Sequence, residues 1–188
     1  MKKIILFTLL ISMTVFLASC SKKDVADNTR ETFSTLSAGR VFKVSGVGDF
    51  TVKKIHTTDV IYSALRNGTF VECEEEENTY IDIVFRFKNK KQNVNLSELI
   101  SVTAVGKTTG KKYSESLVLS ENEDGSGLVS FGQILPMAEV TVHMAVEVPE
   151  KSEDEIYGIE ICAKDDKFEF DYKLFELVHN IQLLPCLL

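Results

Sequence analysis

Three histidines, four cysteines and 28 Asp plus Glu are the side chains of this 188-residue sequence that could carry chemistry. His56, His143 and His179 are widely separated, and neither His-x-x-x-His nor Cys-x-x-Cys occurs, so the spacing of a preformed zinc site is missing. His143 lies beside Thr141 and Glu147 on the polar face of its strand and is expected to face solvent. No Gly-x-Ser-x-Gly, P-loop or dinucleotide fingerprint is present. No catalytic residue, metal or cofactor is therefore assigned, and the chain is expected not to be an enzyme. Carboxylates cluster in three runs: Glu72 with Glu74–Glu77, Glu121 to Asp124, and Glu150 to Glu155. If the strands simply run up and down, the second and third runs emerge at one end of the fold. Glu121, Glu123, Asp124, Glu153, Asp154 and Glu155 would then be oxygen ligands within reach of a hard cation such as calcium. Against this, the first and twelfth positions of a calcium loop around Asp124-Gly125 are Ser120 and Phe131. The plainer expectation is surface charge that keeps the domain soluble.

Cys20 stands apart from the other cysteines. Lys2 and Lys3 precede an apolar run from Ile4 to Phe16, which is too short to span ~30 Å of hydrocarbon as a helix. Leu17-Ala18-Ser19-Cys20 follows and resembles the lipobox of bacterial lipoproteins. The resemblance implies a diacylglycerol on the Cys20 thiol, cleavage before it by signal peptidase II, and attachment to a membrane through the lipid. The protein is expected outside the cytoplasm, on the outer side of the cytoplasmic membrane or on the outer membrane or cell surface. Loss of residues 1–19 leaves 169 residues and removes two lysines, which deepens the formal charge from −7 to −9. Such an acidic chain is not expected to bind nucleic acid, whose phosphates need a cationic face.

Export places the remaining thiols, Cys73, Cys162 and Cys186, where disulfides can form. Three thiols allow one intramolecular bond. A Cys73–Cys162 bridge, a Cys162–Cys186 bridge and three free thiols are the arrangements open to them.

These groups must be positioned by strands. Ile81, Ile83, Phe85 and Phe87 alternate with Asp82, Arg86 and Lys88; Val140 to Val148, Ile156 to Ala163 and Phe168 to Leu174 alternate in the same way. Weaker candidates are Val41–Val47, Phe50–Thr57, Leu99–Val105, Tyr113–Leu119 and Leu128–Ile134. Strands with one apolar face must bury it against a second sheet, so the fold expected is an all-β, immunoglobulin-like antiparallel β-sandwich over residues 41–174. Residues 20–40 are polar and aperiodic, and are expected to form the lipidated cysteine and its tether. From Leu174 into residues 175–188, Leu174, Leu177, Val178, Ile181 and Leu184 follow helical spacing up to Pro185, which predicts a short apolar helix.

Three stretches stand out together: Tyr80 to Asn89, Gly110-Lys111-Lys112-Tyr113, and Pro136 followed by the strand closing in Val148-Pro149. In these residues the chain, from about residue 40 to 174, resembles the small immunoglobulin-like domains of bacterial envelope lipoproteins and secreted proteins, which include an immunoprotective extracellular antigen of mycobacteria. Where the family usually has Gly-Glu after the proline, this chain has Met137-Ala138-Glu139. The resemblance brings no catalytic residues and implies binding or adhesion at the cell surface, to a protein or glycan it does not name. A structural or accessory subunit of an envelope assembly is the other expectation.

Overall fold

The structure, a computed structural model, describes residues 30–33, 36–66, 68–90, 93–130, 132–150 and 155–174. Cys20, Glu153, Asp154, His179, Cys186 and the expected terminal helix lie outside the described residues.

Two sheets face each other. One has five strands in the order β1 (Arg30–Phe33), β13 (Asp166–Lys173), β12 (Ile156–Ala163), β7 (Ile100–Gly106) and β8 (Lys112–Tyr113). The other has six, in the order β10 (Leu128–Val129), β9 (Ser116–Glu121), β11 (Glu139–Pro149), β6 (Asn78–Asn89), β3 (Gly48–Thr58) and β2 (Val41–Val44). The alternating residues meet between them. Ile81, Ile83, Phe85 and Phe87 of β6 and Val142, Met144, Val146 and Val148 of β11 are buried against Tyr157, Ile159, Ile161, Phe168 and Phe170 of the facing sheet. Phe42 joins the layers, its ring 4.6 Å from that of Phe168 and 6.0 Å from that of Phe85. The chain is thus the β-sandwich that the period-2 pattern requires.

Three expectations about the elements change. The sheet begins inside the stretch expected to be a tether, because β1 pairs in parallel with β13, Glu31 opposite Phe168 and Thr32 opposite Glu169. A four-residue edge strand needs only backbone groups to pair, which the polar composition of 20–40 does not reveal. The expected strand Leu128–Ile134 shrinks to β10, and Ile134 instead forms a lone bridge with Val94. A third, two-stranded layer, β4 (Val60–Tyr62) with β5 (Phe70–Glu72), was not expected at all, nor was the single helical turn α1 (Leu96–Leu99).

The end of β6 is secured by a buried amide. Asn89 Nδ2 donates to the carbonyls of Ile134 and Leu135 at 2.9 and 3.0 Å, holding the irregular segment that leads into β11. Asn89→Ala leaves both carbonyls without this donor. It should lower unfolding stability by about 1–3 kcal/mol in a urea titration, with the slope unchanged.

Candidate functional site

The site lies on the outer face of the six-stranded sheet. It is created by an irregularity in β3. Up to Val52 the inward residues are Phe50 and Val52, paired with Phe87 and Phe85; after it the register slips by one, so that Lys54 pairs with Val84 and His56 with Asp82. Lys53 is the extra residue of this bulge. Because side chains alternate with period 2, one added residue exchanges the faces, turning Lys54, His56 and Thr58 outward.

Four neighbouring strands then bring their outward side chains into one chain of contacts. Lys54 Nζ lies 3.3 Å from His56 Nε2, and His56 Nε2 lies 3.8 Å from Asp82 Oδ2. The same carboxylate oxygen is 2.9 Å from His143 Nδ1, and His143 Nε2 faces Glu121 Oε1 at 3.5 Å. This row is not solvated surface. Asp82 is 1 % exposed and His143 6 %, which overturns the expectation of a solvent-facing histidine.

The physical reason is the β4–β5 ribbon, which packs over part of the outer face. Ile61 and Val71 of the ribbon pack with Tyr80, Leu119 and Ala145 in a second small apolar cluster. Tyr80 Oη donates to the Glu72 carbonyl at 3.1 Å, and Leu65 N donates to the Gly125 carbonyl at 3.1 Å. The backbone N–H of Leu128 donates to Thr69 Oγ1 at 2.6 Å. Gly68 passes so close to the Ser126 carbonyl that an added Cβ would sit 1.5 Å from its oxygen, and glycine is required there.

Between ribbon and sheet lies a cavity of about 460 Å³, in the size range of small-ligand sites. Its lining includes Lys54, His56, Asp82, Glu121 and His143 from the sheet and Tyr62, Ser63 and Arg66 from the ribbon side. Three buried polar atoms there have no hydrogen-bond partner: Asp82 Oδ1, Ser63 Oγ and His56 Nδ1. Buried polar atoms are nearly always satisfied, so orphans that line a cavity mark where a bound group can act.

The two histidines are driven in opposite directions. At His143, burial pulls the pKa down, but the hydrogen bonds and charges of Asp82 and Glu121 outweigh it and raise the value above the ordinary one. At His56, burial is the largest influence and lowers the pKa, against the attraction of Asp82 and with help from Lys54. A raised native pKa stabilises the fold fully below the unfolded value of ~6.5, and that contribution is lost as pH rises through the native value. A lowered native pKa does the reverse, its stability being lost as pH falls below ~6.5. Melting temperature against pH should therefore crest near the ordinary histidine pKa. His143→Gln should remove the decline on the alkaline side of the crest, and His56→Gln the decline on its acid side.

The described members of the second and third acidic runs do not converge. Glu121 is level with Thr141 near the start of β11, whereas Glu155 follows the strand's far end at Pro149. Eight residues of strand, ~27 Å at ~3.4 Å each, separate those levels. Simple up-and-down alternation fails because β9 and β11 are paired directly while the chain after Pro149 crosses to the other sheet. The described members also have structural roles. Glu155 is buried and accepts the Thr108 backbone N–H at 2.6 Å, while Asp124 Oδ1 accepts from Ser126 N and Oγ at 3.0 and 2.6 Å, closing the turn. Glu121 belongs to the His143 contact, and Glu123 lies in the exposed turn. Among the described residues no group of three or more His, Cys, Asp or Glu side chains is placed to hold a metal ion.

Nor do Cys73 and Cys162 form the bridge that was one of the expected arrangements. Both are free thiols. Cys73 packs on the outer side of one sheet with the second apolar cluster, whereas Cys162 alternates with the inward Ile161 and Ala163 on the outer side of the other, 3.4 Å from Glu160 Oε1. The full sandwich core stands between them, far beyond the Cα separation a disulfide allows. Burial, with Glu147 and Asp59 nearby, pushes the Cys73 thiol up to about 12, and burial together with Glu160 raises Cys162. Alkylation of the unreduced, unfolded chain followed by peptide mapping should recover both as modified cysteines. A peptide linking them would contradict this arrangement.

Nothing in the sequence spacing had joined His56, Asp82, Glu121 and His143. The available signal was Val84, Leu119 and Ala145, apolar residues on strand faces otherwise read as wet.

No protein-family model matches the chain, and no curated protein matches it. Among solved structures it is similar to an uncharacterized beta-sandwich protein from Clostridium difficile 630, known from a crystal structure at 1.90 Å. The two share 22% identity with a TM-score of 0.64 over 81% of this chain and 99% of that one. That likeness establishes a shared β-sandwich fold.

Proposed function

We propose that this chain is a membrane-anchored envelope lipoprotein and a non-enzymatic binding or adhesion module, whose ligand enters the cavity beneath the β4–β5 ribbon. The anchor rests on Lys2-Lys3, the apolar run and Leu17 to Cys20; the module's kinship with the antigen-type immunoglobulin-like domains rests on the residues from Tyr80 to Pro149 named above. The observation that carries the site is the pair of buried, unpartnered atoms Asp82 Oδ1 and Ser63 Oγ lining one cavity. Left unmet, each costs about 1–3 kcal/mol of desolvation, which a ligand supplying hydrogen bonds recovers.

Radiolabelled palmitate should label the native chain in bacteria and not Cys20→Ala, which should leave the membrane fraction. Detergent-solubilised full chain, incubated with envelope extract and host glycans, should retain a ligand identifiable by mass spectrometry. Ser63→Phe, which fills the cavity, should lose it. Retention by the variant would displace the site, and turnover of the retained molecule would make the protein an enzyme. The accessory-subunit reading is favoured by Tyr62, Leu65 and Phe70, which stand exposed on the ribbon. It predicts a co-purifying protein that survives Ser63→Phe.

A further inference from the structure

We infer that the ligand of this cavity is a neutral saccharide unit, its hydroxyl groups set on Asp82 and Ser63 and a ring face turned to Tyr62. This deepens the proposed function and rests on the cavity being the binding site. The chemistry of the orphaned atoms selects the class. Asp82 Oδ2 already faces His143 Nδ1 at 2.9 Å, so the free Oδ1 is an acceptor awaiting a donor. A phosphate or carboxylate would bring a second anionic acceptor against it. An ammonium group would donate, but it would meet two cationic side chains, Lys54 and Arg66. The two carboxylates, Asp82 and Glu121, are moreover already bridged by His143. A hydroxyl group carries no charge, donates to Asp82 Oδ1 and accepts from Ser63 Oγ, so one functional group answers both orphans.

The ribbon supplies the second half of the match. Tyr62 lines the cavity and is 43 % exposed, with the Phe70 ring 5.9 Å from its own and the Arg66 guanidinium 5.8 Å from its centroid. Arg66 and Phe70 thus brace an aromatic surface at the mouth of a polar cavity. A pyranose has that same division, with C–H groups on one face and hydroxyls at its edge. The aromatic side chain takes the first and the buried polar atoms the second.

The test uses the full chain in detergent and titration calorimetry. The probes are neutral gluco-, galacto-, manno- and N-acetylglucosamine oligosaccharides, inorganic phosphate and a short lysine peptide. A neutral oligosaccharide should bind, Ser63→Ala should weaken it about tenfold, the effect of losing roughly 1.4 kcal/mol, and Tyr62→Ala should weaken it also. Lys107→Ala, on the opposite sheet, should leave it unchanged. Asp82→Asn provides a second cavity variant, accepted once its melting transition shows it folded. Silence of every neutral saccharide overturns the inference. If phosphate or the lysine peptide then binds the native chain and not Ser63→Ala, the ligand class alone is wrong and the cavity remains the site. Saccharide binding that ignores Ser63, Tyr62 and Asp82 alike overturns the inference together with the cavity reading.

Discussion

Asp82→Ala is expected to destabilise the domain by about 3–5 kcal/mol, the range found when one partner of a buried ion pair is removed. Asp82 is fully buried at the centre of the outer-face row, where it faces His143 Nδ1 at 2.9 Å and His56 Nε2 at 3.8 Å. Without it the buried His143 keeps only the 3.5 Å contact with Glu121, whose geometry is weaker. Deprotonation of His143 then becomes the cheaper outcome, so the alkaline decline in melting temperature should shrink along with the total stability. Chemical denaturation of native and variant chains at one pH, repeated across the histidine range, separates the two effects. A variant within about 0.5 kcal/mol of native, the scale of ordinary surface substitutions, would show that the row is not a coupled buried unit.

Deletion of Ile55 is expected to be of comparable size, whereas deletion of Lys53 should be tolerated. Lys53 is the extra residue between Val52 and Lys54, which pair with the consecutive residues Phe85 and Val84. Removing it joins the two halves of β3 in the registers they already hold. Phe50, Val52 and Ile55 stay inward, and Lys54 and His56 stay outward with His56 opposite Asp82. Stability and ligand capture should therefore stay near native, as they should for Lys53→Ala, which changes an exposed side chain. Without Ile55, the inward place opposite Ile83 falls to His56 if the bulge is kept and to Lys54 if it is lost. Either choice buries a polar or charged side chain in the core, at a cost of several kcal/mol read by chemical denaturation. If the two deletions behaved alike, the bulge would not set which residues of β3 face the site.

Sequence patterns carry information where a strand face is long and uniform. β6, β11, β12 and β13 were legible because each has one wholly apolar face over seven residues or more, and period 2 leaves no other way to bury it. β4 and β5 were not, because three-residue strands are shorter than any reliable period, and Tyr62 and Phe70 stand exposed on them. Missing the ribbon led to the error about His143, since a histidine on the polar face of an uncovered sheet would be wet. Convergence of the second and third acidic runs and a Cys73–Cys162 bridge were not met for a related reason. Both depended on which strands are neighbours, and local alternation is silent on strand order.

The sequence alone determined the acidity of the chain, with a formal charge of −7, and the two-layered β architecture. These follow from local composition and from the need to bury one face of each strand. Only the tertiary structure decided the site. His56, Asp82, Glu121 and His143 come from four strands that are adjacent through long-range pairing, the β3 bulge selects the face on which His56 emerges, and the ribbon decides that this face is dry. Pairing, register and cover are properties of contacts between segments distant along the chain. The cavity and its unpartnered polar atoms come into being with those contacts.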